Sequence, residues 1–299
     1  MTGAALAGSI GVAWKVVELC QRVDPLSGTA VGDPASLGVS RADEAALELA
    51  LQAAEVWSAS VTVVSVGPPN AATAAAGVLR GALQRGADAL RVPFAGADDE
   101  SSSERVAALA AAALSEARPG LLAVFCGDAS VDRGTGAVPA FLAACLGAAQ
   151  LLGMASVRIG EQAGRLEGER RLDGGRRERL GTVAGSVPVV SVEAAAARLR
   201  RAPLPGVLRA GQADVRTLEP RSALLRTAPA GGVSVEEVAP YRPRTELVAA
   251  PPAWATPLER IRLLTGSLSD RKPQRILHLP PDEAAGALLA QLAEWGELA

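Results

Sequence analysis

The residues best placed to do chemistry form one polar, glycine-rich run, Gly127-Asp128-Ala129-Ser130-Val131-Asp132-Arg133-Gly134-Thr135-Gly136, between an apolar segment of strand length and one of helix length. Glycines let a backbone approach a phosphate closely. A helix N-terminus adds unpaired N–H groups at the positive end of its dipole. In that setting Thr135 can donate to a phosphate oxygen, and Asp132 can accept from a ribose hydroxyl or an adenine amine. The same run reads equally well as an ordinary strand-to-helix turn with an Asp/Thr cap. It lacks the GK[ST] ending of a Walker A loop and is not a Rossmann fingerprint. A second region, Leu166 to Ala210, has a different character. One charged run turns on Asp173-Gly174-Gly175 into another, an apolar strand follows from Val187 to Val192, and an Arg-rich stretch ends in Leu204-Pro205-Gly206-Val207-Leu208. Hydrolysis and group transfer have no use for such an arrangement.

Other chemistries find little support. Cys20, Cys126 and Cys145 have no CxxC spacing and read as buried free thiols of a reducing compartment. Cys126 precedes the glycine-rich run without a basic neighbour to activate it. The single histidine, His278, and the lack of zinc-like spacing exclude a multi-histidine metal site. Trp14, Trp57, Trp254 and Trp295 lie too far apart to form a cofactor box. A net charge of −2 gives no general attraction to nucleic acid or an anionic membrane, so neither is expected as a partner. The arginines nevertheless cluster from Arg165 to Arg179 and from Arg198 to Arg209, as a solvated face or a partner surface. The N-terminus is a poor signal peptide and no apolar run is long enough to span a bilayer, so a cytoplasmic location is expected.

These residues need elements to position them. Of the 299 residues 49% are hydrophobic but only 3% aromatic, so the core must be built from Ala, Val and Leu. Strand-length apolar runs occur at Trp14–Cys20, Val61–Val66, Ala89–Val92 and Leu121–Cys126. Helical spacing occurs at Arg41–Val56, at Asn70–Gln84 with Asn70 as cap, at Ser101–Ala117 and at Gly136–Leu146. Apolar strands alternating with helices predict a parallel, doubly wound α/β sheet covered on both faces. Ligands of such sheets bind at the carboxyl ends of the strands, here Cys20-Gln21-Arg22, Val66-Gly67-Pro68 and Gly127–Gly136. From Gly153 the pattern changes to strands and a hairpin. The expected division is a nucleotide-binding domain over residues 1–218, with an arm at about 194–210, and an extended C-terminal arm over 219–299. The stretch 220–257 is rich in Pro, Ala and Gly, and helical spacing returns from Asp282 to Trp295.

Read in order, these pieces resemble the electron transfer flavoprotein beta subunit. Leu19-Cys20-Gln21-Arg22-Val23 is similar to the end of that family's first strand. Asp43-Glu44 matches its N-P-x-D-E helix start, although Ser40-Arg41 replaces Asn-Pro. Val61 to Pro69, VTVVSVGPP, and Arg80 to Asp88, RGALQRGAD, are close to its second strand and the following A-L-x-M-G-A-D. In the glycine-rich run Gly127 and Asp132 match, and Thr135-Gly136 match a common bacterial version. Ser130 stands for an alanine, and Ala129, Gly134 and Ala137 replace polar residues. Leu204 to Ala210 resembles L-P-N/G-I-M-K-A, but Gly211-Gln212-Ala213-Asp214 follows where the family has a lysine run.

The resemblance implies the adenine-nucleotide-binding fold shared with universal stress proteins, and a heterodimer with an alpha subunit that supplies most of an FAD site. It implies AMP, or a second FAD, in the beta site, with contacts at Leu19, Ser40, Asp43, Val66, Gly127, Ser130, Asp132, Thr135, Gly136 and Val138. Leu204 and Pro205 would dock a flavin-dependent or other dehydrogenase as donor, an exposed apolar residue flanked by charge being a suitable hot spot. A quinone reductase-like protein would accept the electrons. The chain would be a carrier subunit rather than an enzyme. Departures in the loop and arm suit a divergent bacterial type or a specialised paralogue, such as the one associated with mycofactocin. A universal-stress-like ATP- or AMP-binding module without redox role is the alternative, but it leaves the hairpin and the Leu204 segment unused. An ATP pyrophosphatase is discounted because Gln21 to Ser27 lacks its S-G-G-x-D loop.

Overall fold

A computed structural model describes residues 8–20, 22–24, 26–68, 71–93, 102–117, 120–183, 185–219, 250–264 and 279–294. The chain divides into two compact units, residues 1–241 and 242–299.

The first unit is built on a nine-stranded sheet of order β11-β10-β9-β12-β8-β1-β6-β7-β13. Its centre comprises β1 (Ser9–Ala13), β6 (Ser60–Gly67), β7 (Asp88–Pro93), β8 (Leu121–Gly127), β9 (Ala149–Ile159) and β12 (Pro188–Val192), all parallel. The short β13 (Arg216–Thr217) extends it in parallel beside β7, and β10 (Leu166–Arg171) and β11 (Arg177–Gly181) add a hairpin to β9. Between β1 and the first long helix lie four two-residue strands, β2 (Val17–Glu18), β3 (Arg22–Val23), β4 (Ala30–Val31) and β5 (Leu37–Gly38). The helices are α1 (Arg41–Trp57), α2 (Ala72–Leu83), α3 (Ser103–Ala117), α4 (Val138–Leu146) and α5 (Leu204–Gln212).

Alternation along the strands sorts side chains to the two faces. In β8, Ala123 and Phe125 enter the layer under α1 and α2, while Val124 and Cys126 enter the layer under α3 and α4. Both faces are covered, so the strands read as continuous apolar runs rather than alternating ones. Small residues set the spacing: α3 buries Ala107, Ala110, Ala111 and Ala113 in the layer it forms with the sheet and α4.

The expected α/β fold with a mainly parallel, doubly wound sheet is therefore present, and its first strand needs correction. The run Trp14–Cys20 does not form a sheet strand. Ser9–Ala13 does, with both parallel neighbours, β6 and β8, hydrogen-bonded to it. Val17 and Glu18 instead pair with β5 in a small separate sheet. Cys20 lies beyond that pairing and is exposed, Cys145 is half-buried, and only Cys126 is fully buried. The helix expected from Gly136 begins at Val138, because Gly136 adopts φ +60°, outside the helical region. Asn70 lies outside the described residues, and Ala71 occupies the N-cap of α2.

The hairpin turns where the sequence indicates, with Gly174 and Gly175 both at positive φ. Its arginines answer its glutamates: Arg170 pairs with Glu178 at 2.6 Å, Arg177 with Glu169 at 2.6 Å and Arg179 with Glu169 at 3.4 Å. The second unit contains α6 (Pro257–Leu264) and α7 (Pro281–Glu294), neither of which buries a residue. At the start of α6, Thr256 and Glu259 form a reciprocal cap: the Glu259 carboxylate accepts from the Thr256 N–H at 2.8 Å, and the Thr256 hydroxyl accepts from the Glu259 N–H at 3.4 Å. The stretch 220–249 lies outside the described residues.

Candidate nucleotide cleft

The path of the chain reverses at β1 and β8. From β1 it runs outward through α1, β6, α2 and β7, then crosses back through α3 to β8 and continues outward on the other side. Such a reversal opens a crevice at the carboxyl ends of the two strands. Here it holds a cavity of about 950 Å³, lined by Trp14 and Lys15 after β1, Ser65 to Pro68 at the end of β6, Arg91 of β7, and residues 126–130, 132, 133 and 135–139 after β8. That volume lies in the range of small-molecule and cofactor sites.

Asp43 stands at the back of the cleft and is almost fully buried. Ser40 caps α1 by accepting from the Asp43 N–H at 3.0 Å. The Asp43 carbonyl accepts from the Trp14 indole N–H at 2.8 Å, and its carboxylate accepts from the Gly127 N–H at 3.2 Å. Asp43 thus ties α1 to the ends of β1 and β8. Burial pushes its carboxyl up to about 6, despite the opposing hydrogen bonds from Ser40, Gly127 and Lys15. A Cβ at Gly127 would meet the Asp43 carboxylate at 2.7 Å, so this position has room only for glycine. Burial, with Asp43 nearby, drives the Cys126 thiol far above its ordinary value, so it is no nucleophile.

At the mouth, the Lys15 ammonium donates to both Asp132 oxygens, at 2.6 and 2.8 Å. Partial burial alone would raise the Asp132 carboxyl. The hydrogen bonds from Lys15 and Ser130 outweigh it and hold the group below the ordinary value. The Gly134 N–H donates to the Ser130 carbonyl at 3.0 Å and folds the loop back on itself, and Gly136 completes the turn. The N-cap of α4, Ala137, offers no side-chain cap, and Pro139 at the second helical position has no N–H, so the Val138 and Ala140 N–H groups are the donors this helix start can offer a ligand or water. Open space lies where a Cβ of Gly67 would project. A helix start with free N–H groups, the Ser130 and Thr135 hydroxyls and the Asp132 carboxylate together suit a phosphate and a sugar hydroxyl.

Of the positions expected from sequence, Asp43, Val66, Gly127, Ser130, Asp132, Thr135, Gly136 and Val138 line this one cleft. Ser40 does not line it but orders the helix start behind it. Leu19 is 43% exposed and lies instead in a neighbouring hollow of about 480 Å³, with Leu37, Val78 and Leu199. Leu204 and Pro205 open α5 on the outer surface, and Leu204 is 70% exposed. The sequence reading missed Trp14, Lys15, Ser65 and Arg91. Lys15 was obscured because the first strand was set too late; Ile10 and Val12, two β-branched residues at strand spacing, followed closely by Trp-Lys are the signal that would have found it. Ser65 and Arg91 sit inside apolar strands and carry no local motif. Among the described residues no group of His, Cys, Asp and Glu could hold a metal ion, and no helix is long and apolar enough to cross a membrane.

The chain is similar to Protein FixA of Bradyrhizobium diazoefficiens, with 30% identity over 200 residues, spanning 65% of this chain and 66% of that protein. A sequence model of the electron transfer flavoprotein domain matches residues 35–223, a span that contains Asp43, the Gly127–Val138 loop, the hairpin and Leu204. The chain belongs to the electron transfer flavoprotein domain family.

Proposed function

We propose that this chain is the beta subunit of a heterodimeric electron transfer flavoprotein of the cytoplasm, an electron carrier rather than an enzyme. The observation that carries the reading is the cleft at the β1/β8 reversal, where a glycine-rich loop, an uncapped helix start and a loop carboxylate converge inside the span matched by the family. In this reading Asp132 and Ser130 hold the sugar or base of an adenine nucleotide, AMP or the adenine half of a second FAD. Thr135 and the α4 N–H groups hold its phosphate. Asp43 acts through Gly127, fixing the loop against the sheet. The nucleotide is structural. The redox-active FAD is held mostly by an alpha subunit, and when bound it supplies the electron-carrying chemistry, while this chain lines one side.

The exposed face of α5 supports a docking role for Leu204 and Pro205 toward a flavin-dependent or other dehydrogenase, with a quinone reductase-like protein as acceptor. A regulatory module of the universal-stress type would use the same sheet and cleft but would leave the arginine–glutamate hairpin and the exposed Leu204 without a task. The test is co-expression with an alpha subunit, followed by an absorption spectrum and identification of the nucleotides released on denaturation. A yellow heterodimer whose adenine nucleotide content falls in Asp132→Ala is expected. A colourless chain that purifies alone with ATP would retire the electron-carrier reading.

A further inference from the structure

An ion pair already stands in the cleft, and its two members come from different strand ends. Lys15 follows β1 and Asp132 follows β8, 117 positions apart, and both line the cavity. The Lys15 ammonium donates to the two Asp132 oxygens at 2.8 and 2.6 Å. The Ser130 hydroxyl and the Arg133 backbone N–H donate to the same carboxylate. A carboxylate has about four acceptor positions. Asp132 is therefore filled, and a ligand hydroxyl reaches it only when one of these donors leaves.

Lys15 is the donor able to leave. Ser130 and Arg133 belong to the loop that carries Asp132, and its fold sets their contacts. Lys15 reaches in from β1 on a flexible four-carbon stem with three rotatable donors. Its side chain is 39% exposed and that of Asp132 23%, so the pair costs little to open. The backbone beneath it is fixed, because the Lys15 N–H donates to the buried Asp43 carboxylate. The stem thus swings from a fixed root, and the root is close to the loop. β1 and β8 are adjacent, with Ala13 opposite Cys126, so Lys15 leaves its strand about 5 Å from the strand that feeds the glycine-rich loop and α4. Among the described residues, the acids lining the cleft are Glu18, Asp43, Asp128 and Asp132, and the bases are Lys15, Arg91 and Arg133. Loss of Lys15 leaves the acids in clear excess, an unfavourable field for a phosphate.

We propose that Lys15 is a specificity-determining residue of this cleft: an entering phosphate draws its ammonium off Asp132, and the released carboxylate then accepts a sugar hydroxyl. The inference rests on the nucleotide reading given above. One exchange serves both ends of the ligand, so phosphate and sugar are recognised together. A nucleoside has to displace an ammonium with a neutral hydroxyl and gives Lys15 no new partner. A nucleotide supplies that partner through a charge-assisted hydrogen bond. The cleft therefore favours nucleotides over nucleosides by more than Thr135 and the α4 N–H groups provide.

The experiment is calorimetric titration of the full chain, stripped of bound nucleotide, with AMP and with adenosine. The wild type is expected to prefer AMP. Lys15→Met should weaken AMP about tenfold or more, and should leave adenosine unchanged or up to about threefold tighter, because Asp132 no longer has to be released. Lys15→Arg, which keeps the charge, should retain most of the preference. If Lys15→Met fails to fold, Lys15→Gln carries the same test. A merely structural role for Lys15 would weaken both ligands by the same factor, and that result would overturn the exchange. Unchanged AMP affinity in Lys15→Met and Lys15→Gln would overturn it too, as would equal binding of AMP and adenosine by the wild type; each of these leaves the nucleotide site standing. Binding of neither ligand by the wild type would bring down the nucleotide reading together with the exchange.

Discussion

Asp43 is the residue on which the cleft turns, and its burial has a measurable consequence. Its carboxyl titrates near 6 in the folded chain against 3.8 in the ordinary state. Between those values the folded state binds more protons than the unfolded one, so this group's contribution to stability falls as pH rises from about 4 to 6. The span corresponds to about 3 kcal/mol. Asp132 and Glu48 have the opposite sign: both are held below their ordinary values, so their contributions are present above those values and lost as pH falls through the folded ones. Asp43→Asn removes only the first effect. Its unfolding free energy, measured by denaturant titration at several pH values, should gain on the wild type by up to about 3 kcal/mol between pH 4 and 7. A constant difference would mean that Asp43 does not titrate in that range. The sequence marks Asp43 as a helix-start acid, three residues after the capping Ser40. It does not reveal that the carboxylate turns inward to Gly127, 84 positions away, because that contact exists only when α1 lies across β1 and β8.

At the scale of elements, α5 presents two exposed leucines that a partner can meet. It is held by two devices. Gly206 packs against the end of α2, where a Cβ would collide with the Gln84 carbonyl. The segment leading to it is pinned at Arg200: its guanidinium pairs with Glu48 and Glu55 of α1, its N–H donates to Glu48 at 3.0 Å, and its carbonyl accepts from Arg85 at 2.9 Å. Leu204 and Leu208 remain on the outside, 70% and 65% exposed. Gly206→Ala should cost about 1–3 kcal/mol by overpacking and should displace α5, seen as raised hydrogen exchange over residues 204–212 while the central strands stay protected. Leu204→Ala leaves both devices intact. It should slow electron transfer from the donor dehydrogenase severalfold or more, with stability and flavin spectrum unchanged; stopped-flow rates equal to wild type would remove α5 from the docking surface. The Leu-Pro-Gly signature is legible in the sequence. That Leu204 faces solvent from the first turn of a helix is not, since the glycine that permits the close approach to α2 acts on residues far away in the chain.

For the whole molecule, the reading as a subunit implies that flavin binding is shared. In that reading the cleft would hold a nucleotide within this chain, whereas the redox flavin would need a second wall. The chain expressed without an alpha subunit should therefore be nearly colourless, and adding the alpha subunit should restore stoichiometric flavin absorbance. A yellow chain carrying one flavin by itself would place FAD in the β1/β8 cleft instead. The sequence by itself determined the α/β class, the helices α1 to α4 and α7, the strands β6, β7, β8 and β12, the hairpin turn and the glycine-rich loop, because these rest on local periodicity and on backbone demands at single residues such as Gly136 and Gly174. It also carried the family, through motifs whose order spans most of the first unit. Tertiary structure alone decided that Ser9–Ala13 rather than Trp14–Cys20 enters the sheet, since a parallel strand is defined by two neighbours distant in sequence. It alone brought Lys15 to Asp132, 117 positions apart, and set Arg91 beside Ser65, because register between strands and the crossover through α3 determine which side chains share one cleft.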